Sequence, residues 1–424
     1  MLTSVDQLMQ RLGSALGRDG VSAGADVRRS YSLDGITPQL VVAPKSPEQI
    51  GAVLRLCSES RASVIPWGGG TAMVLGNPPR RADVVIRLEE LDHVIEHDAA
   101  NLTVTVQSGV TLQALQSVLA AHKQFLPIDA PFPARATLGG VVAANLNGPR
   151  RGLYGSVRDL VIGMKVVLAS GEVIKAGGKV VKNVAGYDMS KLFVGSLGTL
   201  GIVTEATLRV APIAESAATF VADGALAQAA TMIREISRSV LLPAAAFLRS
   251  DNSKASWRVA VWCEGFAASV ERQLRELEAM TLSLGMRSQV LQAQAHVELW
   301  DKLRDFPLSP NRVMYRVALP RAAVFAFLEN SKERHPGEIV CDALMGTVWL
   351  SWPPREAAIQ RFSALESLAR QERGHVVLFA APAALKAAVN VWGTSPATLS
   401  IMREIKHQFD PQELLNPGRF LGGI

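Results

Sequence analysis

Residues 66–71 read Pro-Trp-Gly-Gly-Gly-Thr, and they directly follow a predicted strand, Ala62–Pro66. Three successive residues without Cβ let backbone N–H groups point into one concavity, which is the geometry of a nest for a phosphate or pyrophosphate. Taken alone, a triple glycine is also typical of an ordinary loop. The patterns G-x-x-x-x-G-K-[S/T] and G-x-G-x-x-G are absent from the chain, so this loop predicts neither a P-loop nor a Rossmann dinucleotide site.

The glycines of the chain are concentrated around this loop and two later stretches. Half of the 34 glycines lie in residues 63–76 and 139–201, whereas residues 202–417 contain only seven. The later stretches, ATLGGVVAAN at 136–145 and GSLGTLGIVT at 195–204, are typical either of a backbone on which a flat ligand lies or of tight helix packing. Three such segments in one half of the chain favour a large cofactor that carries phosphates.

The pattern of strands and helices changes near residue 212. Before it, the strand Gln39–Ala43, the helix Pro47–Ser60 with Ser46 as its N-cap, and the strand Ala62–Pro66 form one strand-helix-strand unit. After it, strands alternate with helices, glycine is scarce, and six of the seven tryptophans lie beyond residue 250. This change predicts a second domain of the α+β class.

Two helices are predicted near the C-terminus. The first covers Ala397–Gln408. Asp410-Pro411-Gln412-Glu413 then has the pattern of a capping box with proline at the first helical position, which predicts a further short helix. Asn416-Pro417-Gly418 would end that helix.

The composition excludes several classes of protein. With 48% apolar and 19% charged residues among 424, the chain has ample material for a folded core. The net charge of +6 is dispersed, so we expect no nucleic-acid binding and at most attraction to an anionic surface or an acidic partner. No apolar stretch is long enough to span a membrane and no signal peptide is visible, which predicts a cytoplasmic protein, free or peripheral to the inner face of the membrane.

The sequence also predicts no metal site. Cys57, Cys263 and Cys341 lie far apart, without the spacing of zinc or iron–sulfur ligands. Residues 93–97, His-Val-Ile-Glu-His, match a zinc-protease string, but that string binds zinc on a helix and here it lies on a predicted strand.

Four stretches taken together are highly specific: WGGGT (67–71), ATLGGVVAANLNGPRRGLYGSVRD (136–159), KNVAGYDMSKLFVGSLGTLGIVTE (182–205) and FDPQELLNPGRF (409–420). In this order they resemble the PCMH-type, or vanillyl-alcohol-oxidase-type, family of FAD-binding flavoproteins, and within it the FAD-binding subunits of bacterial glycolate oxidases. The resemblance is strong over residues 35–212 and 400–420. The middle of the chain is similar only in its layout as a cap.

The resemblance implies an α+β fold in four parts. These are an N-terminal helical segment (1–34), a two-subdomain PCMH-type FAD-binding domain (35–212), an α+β cap domain (213–395), and a C-terminal segment (396–424) that packs on the FAD-binding domain.

The resemblance also implies a set of cofactor-binding residues. The loop 66–71 would hold the FAD pyrophosphate through its N–H groups, the residues of 137–159 would line the flavin and ribityl chain or shape the neighbouring turn, and Ile202 and Val203 would present backbone to the flavin or adenine. Asn416 and Arg419 would reach the isoalloxazine edge. The implied set is Pro66, Trp67, Gly68, Gly69, Gly70, Thr71, Thr137, Gly139, Gly140, Ala143, Asn145, Gly152, Tyr154, Gly155, Asp159, Ile202, Val203 and Asn416.

Two positions depart from the family pattern. Thr71 stands where some relatives carry a histidine that binds flavin covalently, so we expect non-covalent FAD. Relatives that oxidise 2-hydroxy acids carry a His-x-Gly-Asp-Gly-Asn type stretch in the cap, which supplies a metal ligand and a catalytic base. The nearest stretch here, GHVVLF at 374–379, has no acidic residue and no second histidine.

Two single basic residues and one basic pair keep two interpretations each. His375 is either a catalytic base or a strand histidine satisfied by a neighbour. Arg419 either stabilises negative charge on the reduced flavin or is a solvated arginine after a helix. The pair Arg150-Arg151 either docks an acidic partner or cofactor phosphates, or lies in a solvated turn.

The resemblance implies the FAD-binding subunit of a complex that oxidises a small 2-hydroxy acid, glycolate to glyoxylate, with hydride passing from C2 to flavin N5. Electrons would then leave through a second flavoprotein subunit and an iron–sulfur subunit. Two alternatives remain open. One is a self-sufficient FAD-linked dehydrogenase of D-lactate or another 2-hydroxy acid, and the other is a non-catalytic subunit that binds FAD for structural or electron-relay purposes.

Overall fold

A computed structural model describes residues 4–178, 188–250, 256–309, 311–331, 337–353 and 358–424. The strands of these residues form sheets of four, five and eight strands and one two-stranded ribbon. Helices and sheets are mixed throughout, which confirms the α+β class predicted from sequence. Residues 182–187, at the start of the predicted stretch 182–205, lie outside the described ranges.

The first sheet is built on the predicted strand-helix-strand unit. Ser46 caps the central helix by accepting the Gln49 N–H at 3.3 Å, Pro47 opens it, and Ile50, Val53, Leu54 and Cys57 bury one of its faces. The strand order is β1-β2-β4-β3, and the last three strands are parallel. The elements are α1 (Ser4–Leu16), β1 (Val21–Ser22), α2 (Ala25–Ser30), β2 (Leu40–Val42), α3 (Pro47–Glu59), β3 (Val64–Trp67) and β4 (Val84–Arg87).

The second sheet has five antiparallel strands in the order β5-β6-β10-β8-β9, and a ribbon of β7 and β11 lies beside it. The string His93–His97 overlaps its edge strand β5, as predicted. The elements are β5 (Val94–Asp98), β6 (Thr103–Gln107), α4 (Leu112–Ala120), β7 (Gln124–Phe125), α5 (Leu138–Ala144), α6 (Arg151–Tyr154), α7 (Val157–Leu160), β8 (Val161–Val167), β9 (Val173–Gly177), α8 (Ser190–Phe193), β10 (Ile202–Arg209) and β11 (Ala211–Pro212).

The third sheet, called the cap sheet below, has eight antiparallel strands in the order β15-β12-β14-β13-β17-β18-β16-β19. One face is covered by α9, α10, α12 and α13, and the other faces the first half of the chain. The elements are β12 (Ser216–Gly224), α9 (Leu226–Arg238), β13 (Ala245–Ser250), β14 (Trp257–Gly265), α10 (Ala267–Ser283), β15 (Arg287–Leu291), α11 (Ala293–Asp305), β16 (Val313–Ala318), α12 (Val324–Ser331), β17 (Glu338–Asp342), β18 (Thr347–Trp352), α13 (Ala358–Gln371), β19 (His375–Ala380) and α14 (Ala383–Ala387).

The C-terminal segment returns to the first half of the chain. Helix α15 (Leu399–Phe409) packs there through Phe409, whose ring lies edge-on to Phe193 at 5.6 Å. The predicted short helix after Asp410 is wrong, because residues 410–420 form turns. The Asp410 carboxylate accepts the N–H groups of Leu414 and Leu415 and pairs with buried Lys406, so it stabilises a turn instead of a helix N-terminus.

No helix within the described ranges is long and apolar enough to cross a lipid bilayer.

Candidate functional site

A cavity lies where the first two sheets meet. The triple-glycine loop after β3, helix α5, the turn before β10 and the C-terminal segment all contribute to its wall. The lining residues are Pro66, Gly68, Gly69, Gly70, Thr71, Ala72, Met73, Leu88, Thr137, Gly139, Gly140, Ala143, Ala144, Leu197, Gly198, Gly201, Ile202, Val203, Asn416 and Arg419.

The triple-glycine loop supplies free backbone donors to this cavity. Gly69 fits tightly, because a Cβ there would lie 1.6 Å from the carbonyl oxygen of Arg135. Its N–H donates to the Thr137 hydroxyl at 3.4 Å. Within the described ranges, the amides of Gly68, Gly70 and Thr71 find no acceptor. Unpaired amides at a concave wall are costly unless a ligand accepts from them, and a phosphate is the natural acceptor.

The small residues of 136–145 predicted either a backbone on which a flat ligand lies or tight helix packing, and helix α5 shows both features. Gly139 serves packing, since a Cβ there would lie 2.6 Å from the Ser108 Cβ. Gly140 instead faces the cavity, where a Cβ would meet only the Thr137 hydroxyl oxygen, at 3.3 Å. The two neighbouring glycines therefore have different roles, one in packing and one at the cavity wall. The cavity side of α5 is a backbone surface without side chains, which suits a flat group.

The turn before β10 is anchored on α5. The Leu197 N–H donates to the carbonyl of Ala143 at 2.8 Å, and the Gly195 N–H donates to that of Val142 at 3.0 Å. Gly198 has a φ of +68°, which glycine adopts without strain. These bonds place Ile202 and Val203 at the cavity wall.

Asn416 and Arg419 reach the cavity from the far end of the sequence. The C-terminal segment bridges to β3 through two backbone bonds, Val64 N–H to Leu414 O at 2.8 Å and Asn416 N–H to Val64 O at 2.9 Å. Both side chains are only 3% exposed. The Asn416 amide donates to the carbonyl of Leu197, and the Arg419 guanidinium donates to the carbonyls of Met73 and Leu75.

Each of these two side chains keeps one polar atom unused. The Oδ1 of Asn416 and the Nε of Arg419 have no hydrogen-bond partner among the residues that the structure describes. Burial lowers the pKa of Arg419 to about 10, although Asp34 opposes this effect. Arg419 is therefore not the solvated residue of one interpretation.

Trp67 lies on the other side of the glycine loop. A second cavity shares Gly68, Gly69 and Gly70 with the first, and Tyr31, Trp67 and Arg135 are among the other residues that line it. The rings of Trp67 and Tyr31 meet edge-on at 5.1 Å. The implied contact of Trp67 with a cofactor is thus not placed at the first cavity.

Five other residues of the implied set lie outside the first cavity. Asn145 ends α5 with a φ of +49°, and Asp159 caps α7 through Ser156. Gly155 has a φ of +90°, while Gly152 approaches Met345 and Tyr154 bonds Glu264, both from the second half of the chain. Their role in cofactor binding stays a prediction.

Arg150 is largely buried between the two halves of the chain and does not lie in a solvated turn. Its Nε donates to Asp129 at 3.0 Å, and its Nη1 lies 3.6 Å from Glu264 of β14. The guanidinium also lies over the rings of Phe125 and Trp262, at 4.5 and 4.7 Å from their centres. Burial alone would lower the pKa of Arg150, but the two carboxylates outweigh it and raise that pKa.

The cap sheet presents polar residues to the first half of the chain. Asp342, Thr347, Ala318 and His375 are register partners across β17, β18, β16 and β19. Two residues along, Val340, Trp349, Arg316 and Val377 form the next row on the same face. Val340 packs into the core of the first half, so this face looks toward it.

The pKa values of this face respond to its burial. Burial raises the pKa of Asp342 to about 7, although Arg151 and two backbone N–H groups oppose the shift. Burial and the charge of Arg316 lower the pKa of His375. The structure thus brings His375 near the Arg316 guanidinium of the neighbouring strand β16, whereas Asp342 lies three strands away on β17.

Sequence reasoning missed two kinds of residue. Six further residues line the first cavity. Four lie within the quoted motifs and two directly follow WGGGT, so a wider reading of those motifs would have included them: Ala144, Leu197, Gly198, Gly201, Ala72 and Met73. Leu88, Arg316 and Asp342 carry no local signal, because their positions depend on which strands become neighbours.

Comparison with known proteins identifies this architecture. A model of the FAD binding domain matches residues 38–177, and a model of the C-terminal domain of FAD linked oxidases matches residues 385–420. The chain is 31% identical to glycolate oxidase subunit GlcE of Escherichia coli (strain K12) over 366 residues, which span 85% of this chain and 93% of that subunit. This chain belongs to the family of FAD-linked oxidases.

Other matches of the flavoprotein are partial in sequence or limited to the fold. It is 39% identical to glycolate oxidase subunit GlcD of Bacillus subtilis (strain 168) over 222 residues, so it spans only 46% of that relative's length. The structure of p-cresol methylhydroxylase with substrate bound superimposes with a TM-score of 0.79, at 17% identity, over 98% of this chain and 96% of that one. The similarity to the p-cresol methylhydroxylase structure confirms the fold.

The residues of the first cavity fit FAD. The unpaired amides of the glycine loop match a pyrophosphate, and the bare surface at Gly140 leaves room for a flat or extended group. The unused acceptor of Asn416 and donor of Arg419 match polar edges of such a cofactor.

Proposed function

We propose that this flavoprotein is the FAD-binding subunit of a multi-subunit 2-hydroxy-acid oxidase, with glycolate as the first candidate substrate and glyoxylate as its product. The observation that carries the proposal is the match to GlcE, because it spans 93% of that subunit. The partial match to GlcD supports the same substrate class but covers less than half of that relative.

The proposal includes a division of the chain into residues 1–34, 35–212, 213–395 and 396–424. The last strand of the first half ends at Pro212, and the cap sheet begins with Ser216, which supports the central boundary. The bridge between β3 and Leu414 supports a C-terminal segment that belongs with the FAD-binding domain.

The cofactor is held without a covalent bond in this proposal. Thr71 lines the cavity where a covalent relative would carry histidine, and the cavity wall described above has no imidazole, thiol or phenol. When bound, FAD accepts a hydride from the C2 of the hydroxy acid. The loop amides hold the pyrophosphate, the backbone of α5 supports the flat part of the cofactor, and the Arg419 guanidinium supplies positive charge to its edge.

Electrons must leave through another polypeptide or a diffusible acceptor. The chain has three cysteines, whereas an iron–sulfur cluster is usually held by four thiolates. All three are buried as free thiols. An iron–sulfur subunit and a second flavoprotein subunit are the partners we propose, in the cytoplasm or at the inner face of the membrane.

Anaerobic reduction tests the proposal. The full chain, purified with FAD, is mixed with glycolate or D-lactate without oxygen, first alone and then with its partner subunits, while the visible absorbance of the flavin is followed. Bleaching that requires the partners supports the subunit role, and bleaching of the chain alone supports a self-sufficient dehydrogenase. Failure of the whole complex to bleach with any 2-hydroxy acid would sink the proposal and leave an FAD-binding structural subunit.

A further inference from the structure

On the face of the cap sheet that looks toward the first half of the chain, the half-buried guanidinium of Arg316 lacks a counter-ion among the described residues. Arg258 pairs with Asp223 at 2.9 Å, and Arg249 pairs with Glu338 at 2.5 Å. Arg316 lies over the Phe379 ring, 5.7 Å from its centre, but has neither a hydrogen bond nor an ion pair among the residues that the structure describes. An arginine withdrawn from water normally takes a carboxylate or phosphate partner, so this exception points to a missing anion.

A second cation without an ion pair among the described residues, Arg151, lies where α6 packs against the cap, since a Cβ on the next residue, Gly152, would lie 3.5 Å from Met345. The positive charge of Arg151, at the start of α6, acts with burial to lower the pKa of Arg316 to about 10. Arg151 also forms no ion pair within the described ranges, although it is near enough to Asp342 to affect the pKa of that carboxyl. Two guanidinium groups close together cost free energy because their like charges repel. An anion bound beside both would offset this repulsion.

The place is open to a small solute. Arg316, Trp349, Thr347 and Arg151 are each half-buried, and Ala318 and His375 are exposed at the rim. Asp342 is buried beside them and makes the place unfavourable for a large polyanion. The surroundings therefore suit a compact anion with an apolar contact on Trp349.

We propose that Arg316 and Arg151 form the binding site for the carboxylate of a small organic acid, between the cap sheet and the FAD-binding domain. A guanidinium binds a carboxylate through two parallel N–H bonds, and the planar fork of Arg316 is free to do so. This inference rests on the proposed function and deepens it, because it names the residues that recognise the acid. In the next row of the same face, His375 lies on the strand beside Arg316, and Asp342 lies at the far end of that row on β17.

Calorimetric titration of the FAD-loaded full chain with oxalate tests the site. Oxalate is a compact carboxylate that the proposed reaction does not oxidise, so binding is measured apart from turnover. The variants are Arg316→Met, Arg316→Lys and Arg151→Met. Arg258→Met is the matched control, since it removes the same charge from the same face but from an arginine that is already paired.

We expect oxalate to bind the native chain and Arg316→Met to weaken that binding about thirtyfold or more, with Arg316→Lys in between and Arg258→Met within about twofold. Arg151→Met should weaken it as well, which keeps the test decisive if Arg316→Met misfolds. The proposal is overturned by unchanged affinity in both the Arg316→Met and Arg151→Met variants, by no oxalate binding to the native chain, or by inorganic phosphate binding equally well. A chain that holds no FAD but still binds oxalate through Arg316 would contradict the proposed function and leave this site standing.

Discussion

Arg419 and Asn416 line the same cavity, and neither the Nε of Arg419 nor the Oδ1 of Asn416 has a hydrogen-bond partner within the described part of the chain. One is a donor and the other an acceptor, on residues three positions apart. Buried polar atoms are nearly always paired in folded proteins, so this pair marks the place where a ligand supplies the missing partners. The remaining polar atoms of both side chains hold the backbone around them.

We expect Arg419→Lys to weaken FAD binding about tenfold to a hundredfold. A lysine keeps the charge but cannot bond the carbonyls of Met73 and Leu75 and still donate to the cofactor. The dissociation constant of FAD, measured by fluorescence titration, checks this. Arg403→Lys, on the exposed side of α15, is the control and should leave FAD affinity unchanged. Equal affinity in both variants would remove Arg419 from the cofactor site.

We expect Gly140→Val to lose FAD while it still folds. The added side chain points into the cavity, where only the Thr137 hydroxyl oxygen lies within 4 Å of a new Cβ. Gly13→Val is the control, because a Cβ on that helical glycine meets nothing within 4 Å and Gly13 is remote from the cavity. The ratio of flavin to protein after purification and the thermal midpoint of each variant are the measurements. Full flavin content in Gly140→Val would contradict this account of α5.

We expect Asp129→Asn to destabilise the protein by about 3–5 kcal/mol, because it leaves the Arg150 guanidinium without its main counter-ion between the two halves. Asp223→Asn, which breaks the more exposed pair with Arg258, should cost less than about 1 kcal/mol. Chemical denaturation monitored by tryptophan fluorescence compares them. Similar losses in the two variants would show that the buried pair of Asp129 and Arg150 contributes no more to stability than the exposed pair.

The carboxyl group of Asp342 makes stability depend on pH. Its ordinary pKa is 3.8, and burial raises it to about 7 in the folded protein. Between these values the folded protein holds a proton that the unfolded chain releases, so the free energy of unfolding falls by about 1.4 kcal/mol per pH unit from this group.

We therefore expect Asp342→Asn to be more stable than the native chain by a margin that grows from about pH 4 to about pH 7 and then stays constant. Thermal midpoints of both proteins across this range give the margin. A margin independent of pH would show that Asp342 is ionised in the folded protein at all these values.

Most helices and strands could be predicted from the sequence, because their signals are local. Ser46 and Pro47 begin α3 as expected, and the apolar spacing of that helix gives its buried face. The C-terminal turn is the exception. Asp410 and Glu413 match the sequence pattern of a capping box. The buried Lys406 instead forms an ion pair with the Asp410 carboxylate, which also accepts the N–H of Leu414.

The site was predictable only in part, for the same physical reason. Glycine positions are a local signal of close approach to the backbone. The loop at 68–70 and the cavity face of α5 could therefore be predicted from the sequence. The placement of Arg316, Asp342 and His375 on one face of the cap sheet depends on strand order, which no local pattern encodes. Arg419 came from the family resemblance, and its burial came from the structure.

The bridge between β3 and the C-terminal segment means that the parts of the first cavity are synthesised at different times. The Arg419 guanidinium bonds the carbonyl of Met73 across 346 positions of sequence. At about 5–20 residues per second of synthesis, the glycine loop leaves the ribosome roughly twenty seconds to a minute before the residue that closes its cavity. The N-terminal half must therefore wait with an incomplete cavity, and tight cofactor capture can begin only after residues 416–419 have been translated.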